Sequence, residues 1–130
     1  MVNFIYRYST LFLVSWILII FLLCSIPGQF IPTANWMDLL SLDKLVHAGI
    51  FFILCILFFL FAFKRRQKWP YLIVYTVLSM LYGISLEWMQ ANWFSQRSFD
   101  YFDMLANASG CCLALIMHKV LYRKFNFWWH

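Results

Sequence analysis

The sequence predicts an all-α polytopic membrane protein with four transmembrane helices and both termini cytoplasmic. Three observations predict it. Four apolar stretches recur, at about residues 9–26, 45–63, 70–86 and 104–121, each close to the roughly 20 residues that cross a ~30 Å hydrocarbon core. Hydrophobic residues make up 65% of the chain and charged ones only 12%, where an ordinary soluble domain carries about 25% charged. The charges also segregate. If all four stretches span, Arg7, Lys64, Arg65, Arg66, Lys68, Lys119, Arg123 and Lys124 fall on one face, and all five acids fall on the other with Lys44 and Arg97. Short cytoplasmic loops carry the Lys/Arg excess, so the basic face is inside. The net charge of +5 therefore reports topology, and no nucleic-acid partner is implied. At 130 residues the chain reads as one domain, residues 1–130.

The first stretch follows Arg7 as a signal peptide would. No small-x-small cleavage site ends it before Pro27-Gly28, so it reads as an uncleaved helix. Pro27-Gly28 stops it. The segment from Gln29 to Leu42 is too apolar for a free loop. A short interfacial helix beginning near Asn35, or a lid over the polar residues, would bury Phe30, Ile31, Trp36 and Met37. Asp43 opens the second span as a candidate N-cap. Lys64-Arg65-Arg66-Gln67-Lys68 makes a tight inner turn, and Pro70 suits the first turn of the third span. Ser79 and Gly83 form a small-xxx-small pair, as do Ala106, Gly110 and Ala114 in the fourth span, which is expected to pack on the third. Trp36, Trp69, Trp88, Trp93, Trp128, Trp129, Tyr71 and Tyr101 flank the spans, as interfacial aromatics do. Trp16 is the exception and is expected to face lipid or a neighbouring helix. Cys24, Cys55, Cys111 and Cys112 lack metal-ligand spacing and read as small apolar residues.

One polar constellation interrupts this pattern. Asp43 and His47 are spaced i, i+4 and share a helix face. Glu87 and Gln90 end the third span. Asp100, Asp103 and Asn107 run into the fourth, with Arg97 one turn earlier. Ionisable groups at membrane depth face a bundle interior or a watery cavity. Part of the pattern has a simple structural reading: Asp43 and Asp100 as caps, Asp103 favourable beside a helix N-terminus, Lys44 and Arg97 snorkelling to phosphates. Glu87 fits that reading least, since an acid near a helix C-terminus is disfavoured by the dipole and needs Arg97, Lys44 or protonated His47 as partner. No HExxH or paired-His spacing is present, and no metal or other cofactor is expected. No Ser or Cys stands placed as a nucleophile.

Taken in order, Asp43-Lys44-x-x-His47, Glu87-x-x-Gln90 and Arg97-x-x-Asp100-x-x-Asp103-x-x-x-Asn107-x-x-Gly110 resemble the VanZ-like family of small bacterial membrane proteins. The likeness covers about residues 42–117, and Ala114 departs from the family, where a second glycine often follows. The resemblance implies a bacterial cell-envelope protein of the inner membrane, with a glycopeptide-antibiotic connection through the family's named member and no settled reaction. The expectation is an outward-facing pocket of Asp43, Lys44, His47, Glu87, Gln90, Arg97, Asp100, Asp103 and Asn107 that binds membrane lipids or a lipid-linked cell-wall headgroup. Lys44 and Arg97 would contact its phosphate. The alternatives are an outer-leaflet enzyme acting on a lipid headgroup, with His47 as acid/base, and a structural assembly partner.

Overall fold

A computed structural model describes residues 2–26, 36–93 and 100–127 of the chain. The described residues form five helices: α1 (Val2–Arg7), α2 (Ser9–Cys24), α3 (Trp36–Lys64), α4 (Pro70–Trp93) and α5 (Tyr101–Phe127). Three stretches are long and apolar enough to cross a membrane: Leu42–Lys64, Pro70–Trp93 and Tyr101–Lys124. The first expected span is a shorter apolar helix. Its 16 residues reach about 24 Å at the usual helical rise, less than the ~30 Å core.

Helix α3 is the hub, and α2, α4 and α5 all pack on it. Its buried residues Phe51, Leu54, Cys55 and Phe59 join Leu13 and Ile20 of α2, Leu72 and Leu86 of α4, and Cys111 and Ala114 of α5 in one core. Large apolar side chains such as Leu11, Leu18, Val77, Leu81, Leu105 and Ile116 stay exposed on the outer surfaces, as lipid-facing residues do. Side-chain hydrogen bonds to backbone carbonyls tie α2 in place. Trp16 Nε1 donates to Ile50 O at 3.1 Å, Tyr82 Oη to Ile17 O at 2.8 Å, and Gln90 Nε2 to Cys24 O at 3.0 Å. Trp16 thus faces a neighbouring helix.

Helix–helix distance is set mainly at Gly110. A methyl group built there would lie 2.1 Å from the carbonyl oxygen of Ala48. The small-residue face of α5 therefore meets α3, not α4 as expected. Gly83 of α4 sits instead beneath Asn107 and Phe51, with 3.1 Å to each for an added methyl.

Two helix starts also differ from expectation. Helix α3 begins at Trp36, so the apolar residues after Asn35 join the membrane helix directly and form no separate interfacial element. Asp43 lies two turns inside that helix and is no N-cap. Helix α4 continues to Trp93, which puts Glu87 more than one turn before its end. At the opposite end, Gln67 N–H donates to Ala62 O and Arg66 N–H to Phe63 O, both at 3.0 Å. With Arg66 at φ 52°, this is a Schellman closure of α3.

Candidate functional site

The starts of α3 and α5 and the last third of α4 converge on one acidic end. Asp100 sits immediately before α5 and caps it, accepting the Phe102 N–H on Oδ1 at 2.8 Å. Its own N–H donates to Glu87 Oε2 at 3.3 Å. Glu87 is only 2% exposed, so a backbone amide supplies the partner that an acid at this depth requires. Burial alone would raise the Asp100 carboxyl. Hydrogen bonds from the Lys44 ammonium and the Phe102 amide outweigh burial and hold it below its ordinary value.

Lys44 lies at the centre. Its ammonium donates to Asp100 Oδ2 at 2.8 Å, to Asp103 Oδ1 in a short contact, and to Asp43 Oδ2 at 3.4 Å. Three carboxylates from two helices thus converge on one cation. Two of the three, Asp43 and Asp103, turn their other oxygens to His47. His47 Nε2 is 3.4 Å from Asp43 Oδ1 and 3.8 Å from Asp103 Oδ2. On the far side of the ring, His47 Nδ1 meets Asn107 Oδ1 at 3.2 Å. Which ring nitrogen donates follows the tautomer: with Nδ1 protonated the ring donates to Asn107 Oδ1 and presents an Nε2 lone pair to the two carboxylates, and with Nε2 protonated it donates to the carboxylates.

Six of the nine expected residues therefore form one group joined by hydrogen bonds and ion-pair contacts: Asp43, Lys44, His47, Asp100, Asp103 and Asn107. Glu87 joins it through the Asp100 backbone. Gln90 is buried but fastens the end of α2 through Cys24 O. Arg97 lies outside the described residues. Among the described residues this end carries four acids, Asp43, Glu87, Asp100 and Asp103, and one lysine, Lys44, a formal charge of −3 with His47 neutral. One donor atom each from Asp43, His47 and Asp103 lies within 4.8 Å of the other two. That grouping combines ligands 60 positions apart and could not be read from spacing.

No protein-family model matches the chain, and no solved structure matches it. The chain is similar to an uncharacterized protein of Schizosaccharomyces pombe, 32% identical over 109 residues. The match covers 83% of this chain and 65% of that protein, so the chain spans just under two thirds of its relative's length. A fission-yeast relative overturns the expected bacterial cell-envelope role, and with it the glycopeptide connection. Nor does a fission-yeast relative support a bacterial inner-membrane location. What stands is the coarser statement: the chain is all-helical in its described residues, with three helices fit to cross a membrane.

Proposed function

We propose that this chain is an integral membrane protein whose acidic end binds a divalent cation through Asp43, His47 and Asp103. The observation that carries the reading is the setting of His47. In the Nδ1–H tautomer Asn107 Oδ1 accepts the Nδ1 hydrogen bond at 3.2 Å, and Nε2 faces two carboxylate oxygens at 3.4 and 3.8 Å. Ligating histidines are held this way, with the second ring nitrogen hydrogen-bonded to fix tautomer and direction. Bonds of about 2.0–2.2 Å to a tetrahedral zinc place donor atoms roughly 3.4 Å apart; Nε2 is already near that distance from both carboxylates, and the three donors, within 4.8 Å of one another, would close by about 1.4 Å at most. One imidazole with two carboxylates suits zinc or manganese and leaves open positions for water. The excess negative charge favours a cation over an anionic headgroup. Lys44 neutralises the outer oxygens of the two ligating carboxylates and limits their repulsion when the site is empty.

The test is calorimetric titration of the purified protein in detergent with Zn²⁺ and with Mn²⁺. The reading expects one ion per chain, lost in His47→Ala and Asp103→Asn. Asn107→Ala, which removes only the orienting group, should weaken binding by about 10–100-fold. Wild-type protein that takes up neither ion, or binds as well without His47, would refute the reading. An ionic latch of imidazolium and carboxylates would then account for the geometry.

Four spans with both termini on the cytoplasmic side complete the proposal. Lys64 Nζ donates to Arg7 O at 2.6 Å at the basic end, and Gln90 holds Cys24 O at the acidic end. Helix α2 thus runs alongside the bundle between its two ends, and the Lys/Arg bias orients the whole. The likeness to the VanZ-like family is proposed for this helical frame alone.

A further inference from the structure

We propose that the basic end holds a pocket for the phosphate headgroup of an anionic phospholipid. The ends of α3 and α5 and the start of α4 enclose a cavity of about 400 Å³. Lys68, Lys119 and Arg123 line it, with Trp69 and Tyr122 among them and Phe63 and Leu72 also in its wall. All five carboxylates of the sequence belong to the opposite ends of these helices. Among the described residues no acidic side chain lies at this end to neutralise the three cations, unlike Lys44. Basic pockets between membrane helices are matched in charge to phosphate headgroups.

The wall is also built to donate hydrogen bonds. The Schellman turn fixes the backbone at Gln67. Tyr75 Oη donates to Gln67 Oε1 at 2.8 Å, and among the described residues the amide N–H groups of this pocket-lining side chain meet no acceptor. Ile116 and Val120, each three residues before Lys119 and Arg123 and so on the same face of α5, lie exposed and offer an apolar path for an acyl chain. That continuation favours a lipid over free phosphate. The site is separate from the acidic end and does not depend on a cation being bound there.

The experiment is native mass spectrometry of the full chain released from detergent, with added dioleoylphosphatidylglycerol or dioleoylphosphatidylcholine. The expected result is retention of the phosphatidylglycerol and not the phosphatidylcholine. Lys119→Ala/Arg123→Ala should weaken retention by roughly 30-fold, from the worth of two basic residues against an anionic membrane lipid. Lys64→Ala/Arg65→Ala is the charge-matched control. Lys64 is engaged by Arg7 O and Arg65 lies over the Phe61 ring at 4.6 Å, so retention should hold. Gln67→Glu, which places a carboxylate in the wall without removing a cation, should also weaken retention. Equal loss in the pocket and control variants, equal binding of both lipids, or displacement of the lipid by 10-fold excess inorganic phosphate would overturn the proposal.

Discussion

Replacing Gly110 with alanine should loosen the α3–α5 contact on which the acidic site depends. The added methyl would sit 2.1 Å from Ala48 O and 2.9 Å from its carbonyl carbon. A carbon normally approaches a carbonyl oxygen no closer than about 3.3 Å, so the helices must separate by roughly 1 Å. The obstacle is backbone on both sides, and no side-chain rotation relieves it. Overpacking of this kind costs about 1–3 kcal/mol, whereas alanine in a helix recovers up to about 1 kcal/mol relative to glycine. The net expectation is destabilisation of about 1–2 kcal/mol. Gly49 is the internal control. It is one residue beyond Ala48, and nothing lies within 4 Å of a methyl built there. Gly49→Ala should therefore raise stability by up to about 1 kcal/mol through helix propensity alone. The assay is thermal unfolding of both variants in the same detergent, followed by circular dichroism. A Gly110→Ala protein that melts at or above wild type would refute the close-contact argument.

Three further outcomes follow from other parts of the structure. Arg66→Gly should stabilise the protein by about 1 kcal/mol, because a left-handed residue at the end of α3 suits glycine; an unchanged melt would place the strain elsewhere. Asp100 titrates below its ordinary value of 3.8 in the folded protein, so its stabilising contribution is complete above that value and is lost as pH falls through the lower folded pKa. The acid limb of the stability–pH curve should accordingly flatten in Asp100→Asn, and a curve that keeps its full slope would show that the cap and the Lys44 pair contribute nothing. In a cysteine-free background, a cysteine at Asn92 should react with an impermeant reagent added outside cells and one at Gln67 should not; the reverse pattern would invert the topology.

Much of the helical frame was legible because apolar length and charge segregation are properties of the chain alone. The expected 70–86 and 104–121 spans lie inside α4 and α5. Helix ends were less legible. Residues 36–42 are apolar but interrupted by Asp38 and Ser41, so they read as an interfacial piece, whereas helical continuity carries them into α3. With α3 starting at Trp36, Asp43 falls inside the helix, where it cannot cap it. The α5 small-residue face was visible at Gly110, but which helix meets it depends on tertiary packing. Membership of the acidic cluster was readable from shared membrane depth. Its internal order was not: Lys44 was expected to point to phosphate, and it is instead surrounded by the carboxylates of Asp43, Asp100 and Asp103. Trp16 carried a weak signal, as a lone indole inside an apolar run needs an acceptor, and Ile50 O supplies it. Gln90 could not be told from a site residue by sequence, because its partner is a backbone carbonyl on another helix.

A divalent cation held by His47 and two carboxylates would carry its own spectroscopic signature. X-ray absorption at the zinc edge, on protein loaded with one equivalent of Zn²⁺ in detergent, tests for it most directly. The account predicts a shell of nitrogen and oxygen donors at about 2.0–2.1 Å, with one imidazole scattering signature that disappears in His47→Ala. A shell containing sulfur at about 2.3 Å would assign the metal to the cysteines, and a spectrum without imidazole would contradict the site.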